Sequence, residues 1–351
     1  MIDKENYSEE HIKALKQLSG ANEDIIERTL FAFGLLEAIS QTGLEFIFKG
    51  GSCLLVLLKE PHRFSTDIDI VVKPGTDIDS DIEKAGRIFP FFHVSEHFRQ
   101  KKNNIEKRHF KFLYLSPLKN REVKVLLDVL FEENNYISTI QKTITNDLII
   151  SDGKDVSVVM PGINCILGDK LTAFAPHTTG IGINEQKELE IIKQMFDCAS
   201  LLREMTDFKE VKETYHRIVK SELSYRELTI PVEDVLMDTI RSGAVIAGRG
   251  SLYKSDDFSV YAKGVRSIGT HLLKGKYDMT RASADAVQVM YLASSVLKDF
   301  SDFKLITDYS TFLKEKITIQ EFTGLSPLKK ISQSDYAYLI GTFKNLEEGT
   351  L

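Results

Sequence analysis

Apolar side chains recur at helical spacing through residues 8 to 42, first as Ile12, Leu15 and Leu18, then as Ile25, Ile26, Leu30, Phe33, Leu36 and Ile39. That period predicts two helices, and Gly20 and Gly43 mark their ends. From residue 44 to about 160 the period shortens toward two, with β-branched and aromatic residues between turn formers. Strands are predicted over Leu44 to Phe48, Asp67 to Val72, Phe110 to Leu115, Val123 to Leu130 and Val156 to Val159, with short helices between them. Pro161-Gly162 then punctuates the chain, and most of the sequence beyond it has helical periodicity. Examples are Asn164 to Phe174, Glu185 to Arg203, a helix opened by Pro231 and closed near Gly248, and Ala282 to Leu297. Strands succeeded by helices imply an α+β core, residues 1–160 with its two N-terminal helices, and then a mainly helical domain, residues 161–351.

The most chemically informative stretch lies within the first part. The strand ending at Phe48 runs into Lys49-Gly50-Gly51-Ser52, where Ser52 is expected to cap a helix over the apolar run Leu54 to Leu58. Open N–H groups beside side-chain-free glycines form an anion cradle of the size a triphosphate needs. The next strand reads Asp67-Ile68-Asp69-Ile70-Val71-Val72. Alternation puts Asp67 and Asp69 on one face and the isoleucines on the other, toward the core. Two adjacent carboxylates repel unless a cation lies between them, and Mg²⁺ shared with substrate phosphates, or Mn²⁺ in its place, meets that requirement. A plain glycine turn with a solvated Asp-x-Asp explains either half alone; the two together are harder to explain without a ligand.

Composition narrows the class. Of 351 residues, 42% are apolar and 27% charged, enough for a sizeable core. No apolar run reaches the roughly 20 residues of a membrane helix, and Met1-Ile2-Asp3-Lys4-Glu5 lacks the pattern of a signal peptide, so a cytoplasmic location is expected. Cys53, Cys165 and Cys198 have neither disulfide nor zinc-ligand spacing and are expected as buried thiols. A formal charge of −6 gives no global attraction to nucleic acid. Any such contact requires a local basic surface, and Arg99, Lys101, Lys102, Lys107, Arg108 and Lys111, on a predicted hairpin, supply one candidate. A basic edge also prevents sheets from pairing edge to edge.

Lys49-Gly50-Gly51-Ser52 followed by Arg63-Phe64-Ser65-Thr66-Asp67-Ile68-Asp69 closely resembles the first motif of the AbiEii/AbiGii toxin nucleotidyltransferases, in the DNA polymerase β-like superfamily. The resemblance implies a nucleotidyltransferase-type mixed sheet flanked by helices. It also implies metal-dependent transfer of a nucleoside monophosphate from an NTP, onto an RNA acceptor such as the 3′ end of tRNA in some members. Members are typically toxins of toxin–antitoxin or abortive-infection systems, so a cognate antitoxin is an implied partner. Lys49, Gly50, Gly51 and Ser52 would then bind nucleotide, and Asp67 and Asp69 would hold metal.

Three later segments fall in family order. In Arg121 to Leu130, Lys124, Leu126 and Asp128 share a strand face, and Asp128 matches the second motif as a third carboxylate, for metal or for the acceptor proton; Glu122 competes for that role. Gly168-Asp169-Lys170-Leu171-Thr172-Ala173 resembles the third motif, which assigns Lys170 to the phosphate charge. Lys193 to Ala199 resembles the fourth, with Asp197 on a polar helical face beside Glu190, Lys193 and Ser200; the arginine that usually precedes this Asp is replaced by Lys187 and Lys193 as the nearest cations. His177, in a loop from Ala175 to Asn184, and Gly248-Arg249-Gly250 carry weaker signals. Three other readings compete: a nucleotidyltransferase acting on a small molecule or protein, a non-catalytic NTP-binding module, and a purely structural helical scaffold, which would leave the metal site idle.

Overall fold

The computed structural model describes residues 1–98 and 105–348 and divides into two compact units. The first comprises Met1–Gly162 together with Gly269–Lys276. Helices α1 (Glu9–Leu18) and α2 (Glu23–Ser40) are capped by Ser8 and Asn22, whose side chains accept from His11 N and Asp24 N. Leu18, placed on the apolar stripe by its spacing, is 78% exposed because the helix ends there. The strands β1 (Ile47–Lys49), β2 (Asp67–Val72), β3 (His93–Glu96), β4 (Lys107–Leu115) and β5 (Glu122–Phe131) form one mixed sheet in the order β1-β2-β5-β4-β3. Among the described residues only the β2–β5 pairing of this sheet is parallel. β6 (Thr139–Thr143) and β7 (Ser157–Pro161) make a separate antiparallel pair, of which periodicity predicted only the second strand. Two short helices, α3 (Cys53–Leu57) and α4 (Asp79–Ala85), come after β1 and β2.

Alternation divides the sheet's two faces sharply. Phe48, Ile68, Ile70, Val125, Leu127, Val129, Phe110, Phe112 and Tyr114 are buried on one face, where α2 packs. The opposite face presents Lys49, Asp67, Asp69, Lys124, Asp128, Lys107, His109, Lys111 and His93, all exposed or half-buried. Antiparallel and mixed sheets tolerate one wet face, and it is this face that carries the candidate chemistry. The strand expected over Leu44 to Phe48 is only three residues long, because hydrogen bonding to β2 begins at Ile47. A segment unforeseen from sequence completes the unit: residues 269–276, which open in a 3₁₀ turn over Gly269–His271, come beside His62 to Phe64, with Phe64 N donating to His271 O at 2.7 Å and Leu273 N to His62 O at 3.1 Å.

The second unit, Ile163–Ile268 with Tyr277–Leu351, consists of helices and connecting loops, with no strand among its described residues. Its helices are α5 (Ile163–Ala173), α6 (Glu188–Leu202), α7 (Phe208–Tyr225), α8 (Val232–Ala247), α9 (Phe258–Ile268), α10 (Met279–Leu297), the short α11 (Leu328–Ile331) and α12 (Gln333–Glu347). Pro231 stands at the N-cap of α8 and Gly248 at its C-cap, as predicted. Helix α6 packs against α5, α9 and α10, and α10 also against α8 and α12. Gly168 permits the close α5–α7 contact, since a Cβ there would lie 2.7 Å from Val211 O.

Candidate active site

Register builds the site. Lys49 pairs with Asp69, Asp69 with Asp128, and Asp128 with His109, so four strands contribute one row of ionisable side chains across the open face. Asp67 lies one step along β2, opposite Leu126. Neighbouring strands are about 4.8 Å apart, so Asp69 and Asp128 place two carboxylates side by side, which costs stability unless a cation offsets it. His109 Nδ1 lies 2.7 Å from Asp128 Oδ1, and against a carboxylate that nitrogen carries the donated proton. His109 was not identified from sequence. Counting back through the hairpin from the Ser116 turn would have placed it opposite Asp128.

The glycine cradle is bounded on both sides. Gly50 has φ +80°, and a Cβ there would fall 2.0 Å from Asp69 Oδ2, so only glycine admits the carboxylate against the turn. A Cβ on Gly51 would meet Arg63 Nη2 at 2.9 Å and Ser65 Oγ at 2.8 Å. Arg63, 6% exposed, also donates from Nη1 to Phe64 O at 3.0 Å. A buried guanidinium therefore flanks the cradle. Its sequence signal is an arginine between Glu60 and Asp67, quoted within the motif but given no role there. Ser52 does not cap α3: its backbone is αR and its side chain makes no cap bond. Its hydroxyl instead donates to Asp67 O, tying the turn to β2. At five residues, α3 is also too short to add much dipole to an anion site.

Lys170 and Asp197 form their own pair in the helical unit. Lys170 Nζ is 3.0 Å from Asp197 Oδ2, with side-chain exposures of 8% and 1%, and 3.1 Å from Gln194 Oε1. The polar face expected on α6 is buried rather than wet, because three helices cover it: Lys193, Asp197 and Ser200 are all inside. His177 is no loose loop residue. Its Nδ1 lies 2.8 Å from Asp238 Oδ1 and its Nε2 3.0 Å from Asp257 Oδ2, while its backbone N–H also reaches Asp238. The hydrogen bond with Asp238, reinforced by the charges of Asp238 and Asp257 against partial burial, raises the imidazole above its ordinary 6.5. The three cysteines are buried and form no disulfide. Of the predicted basic hairpin, Arg99, Lys101 and Lys102 lie outside the described residues. Arg108 points to the packed face, ion-paired with Glu96 at 2.8 Å and Asp79 at 2.7 Å.

A metal's fit can be judged from the donors. Among the described residues no three His, Cys, Asp or Glu side chains converge as a ready-made cage. Mg²⁺ does not need one, since it is commonly held by one or two carboxylates with substrate phosphates and water completing the shell. Asp67 and Asp69, on one face beside the glycine turn, suit that mode.

Residues 34–246 match the model of the AbiEii toxin nucleotidyl transferases of type IV toxin–antitoxin systems. The chain belongs to that family. The AbiEii match spans the whole sheet and continues through α5, α6, α7 and nearly all of α8, so it takes in both the carboxylate row and the Lys170–Asp197 pair. No curated protein matches the chain. Among solved structures it is similar to JHP933 from Helicobacter pylori, at 13% identity and TM-score 0.43 over 78% of this chain and 93% of that one. It is also similar to an H. pylori protein provisionally assigned as a nucleotidyltransferase, at 13% identity and TM-score 0.44 over 78% and 96%. Likeness at that level adds nothing to the family assignment. Among the described residues no helix is long and apolar enough to cross a membrane. The AbiEii chain is thus a nucleotidyltransferase with an α+β core and a C-terminal helical region.

Proposed function

We propose that this protein transfers a nucleoside monophosphate from an NTP to a hydroxyl of an RNA acceptor such as the tRNA 3′ end, releasing pyrophosphate, with Mg²⁺ or Mn²⁺ held by Asp67 and Asp69. The observation that carries the reading is the row in which Asp69 stands between the Gly50 turn and Asp128. Gly50, Gly51 and Ser52 seat the triphosphate, with Lys49 and Arg63 beside them as cations. The metal, when bound, supplies charge that offsets the carboxylates and the phosphates. Asp128, oriented by His109, is the third carboxylate of the set and takes the acceptor proton as the hydroxyl oxygen bonds to the α-phosphorus and the bond to the departing pyrophosphate breaks. Catalysis of this kind rests on positioning and electrostatics. Lys170 and Asp197 enter through the family motifs alone, Asp197 positioning the Lys170 ammonium within its own helical unit. As a cytoplasmic toxin the protein would have a cognate antitoxin as partner.

The test is transfer of label from each α-³²P NTP into total bacterial RNA, total protein or neither, with Mg²⁺ and beside Asp69→Ala. Label in RNA that depends on Asp69 is the expected result. Asp69-dependent label confined to protein or to a small molecule would replace the RNA acceptor, and equal labelling by Asp69→Ala would overturn the site.

A further inference from the structure

A cavity of about 730 Å³ opens in the sheet unit where the chain enters β1 and leaves β2 and β5. None of Lys49 to Ser52, Asp67, Asp69 or Asp128 lines it. Its floor is apolar: Leu44, Phe46 and Ile47 are half-buried, and Val159 of β7 is 41% exposed. Its rim is acidic, with Glu45, Asp77, Asp81, Glu132 and Glu133 against Lys73 as the cation among the described lining residues. Glu45, Asp77 and Glu133 are exposed, and among the described residues none of the three pairs with a cation.

A sheet edge runs along the same cavity. Among the described residues β1 ends the strand order, paired with β2 on one side, while β7, which packs near it, pairs with β6. Leu44 to Phe46 lead into β1 before its pairing with β2 begins at Ile47. A short edge strand with an unpaired approach presents backbone donors and acceptors to an incoming strand. Three properties then restrict the occupant. The carboxylates repel nucleotides and nucleic acid, so the cavity does not extend the triphosphate cradle, although Val71 stands only about 7 Å along β2 from Asp69. The floor calls for a large apolar side chain. The edge calls for an extended backbone.

We propose that this groove docks a basic, extended segment of a partner protein. The segment adds to the free edge of β1, sets one large apolar side chain on Leu44, Phe46 and Val159, and places flanking Lys or Arg side chains beside Glu45, Asp77 and Glu133. Rim charges of this kind speed encounter and select the partner, and the apolar anchor supplies the hold. The proposal stands apart from the transferase reading, since the groove and the carboxylate row share no residue.

The test is fluorescence anisotropy of the full chain with a fluorescein-labelled KKVFVKK peptide. Wild type should bind, and Glu45→Lys/Glu133→Lys should bind at least about tenfold more weakly. Glu45→Gln/Glu133→Gln should fall between the two, with the melting temperature of wild type, which separates a lost groove from a misfolded chain. Asp256→Lys/Asp302→Lys changes the net charge equally at exposed positions of the helical unit and should bind like wild type. Of two peptides N-methylated at alternate residues, one should lose binding and the other keep it, because a strand added to β1 bonds along one edge. Equal loss in the remote variant would reduce the effect to net charge and overturn the proposal. So would no binding by wild type, a KKVSVKK peptide that binds as tightly, or indifference to both methylation patterns. Complete displacement of the peptide by spermidine, or by a single-stranded oligoribonucleotide, would assign the groove to that ligand instead and equally overturn it.

Discussion

The two units handle charge in opposite ways. In the sheet unit a row of ionisable side chains stands on the wet face, with Asp69 and Asp128 direct neighbours of the same sign. In the helical unit the buried carboxylates are matched: Asp197 with Lys170, Asp285 with Arg203 and Tyr277, Asp335 with Ser283. A satisfied buried network specifies packing, whereas like-charged neighbours on the sheet face are what the proposed metal and substrate phosphates would bring together.

The most severe way to break the contrast is Asp69→Asn. Removing a carboxylate from the row should reduce nucleotidyl transfer by at least about a thousandfold, on the scale of losing a principal electrostatic group. It should also leave the melting temperature unchanged or slightly raised, by what relief of a like-charge pair contributes, about 0.2–1 kcal/mol. A lower melting temperature would mean that Asp69 is structural. Asp197→Ala should differ by costing stability as well as transfer. Leaving Lys170 buried and unpaired should destabilise the helical unit by about 3–5 kcal/mol, while Lys170→Met/Asp197→Leu should recover most of that loss. Urea titration reads both, and a single variant as stable as wild type would make the pair a functional rather than a structural one.

Gly50→Ala sharpens the comparison at one atom. The added methyl would occupy the space of Asp69 Oδ2 at a backbone φ of +80°, a strain of about 1–2 kcal/mol. Transfer should fall by more than tenfold through displacement of the carboxylate, with Mn²⁺ protection against thermal unfolding weakened in parallel; unchanged protection would remove Gly50 from the site. The smallest effect is expected at His177. Both its ring nitrogens face carboxylates, so the doubly protonated form makes both hydrogen bonds and the neutral form only one. Its raised folded value means that the contribution is complete below the ordinary 6.5 and disappears as pH rises through the higher value. The stability difference between wild type and His177→Gln should accordingly shrink from pH 6 toward alkaline pH; a difference independent of pH would show that the imidazolium is not what holds the loop.

Much of the catalytic face was legible in the chain, and the reason is local. A period of two puts Asp67 and Asp69 on one side of β2 wherever that strand goes, and β2 begins and ends at the predicted residues. Gly50 announces its turn because few other residues accept its backbone angle. The four helices named from Asn164 onward, α5, α6, α8 and α10, emerged from periodicity and caps to within a few residues. The character of polar positions did not: the face of α6 bearing Asp197 reads as wet in isolation, and only the helices packed on it turn it inward. Ser52 likewise has the composition of a cap, yet its hydroxyl is drawn to Asp67 O, a group from another strand.

What the sequence determined by itself, then, was the inventory: the elements, the carboxylate pair on one strand face, the glycine turn and the family motif. Only the tertiary structure decided that β5 joins β2 in parallel with Asp128 opposite Asp69, that His109 reaches Asp128 from β4, that Arg63 flanks Gly51, and that residues 269–276 return to lie beside His62 to Phe64. Side-chain alternation is a property of one strand and is written in consecutive residues. Register between strands is settled by which pairing buries Phe48, Ile68, Leu127 and Phe110 together, a condition on the whole sheet that no single segment contains.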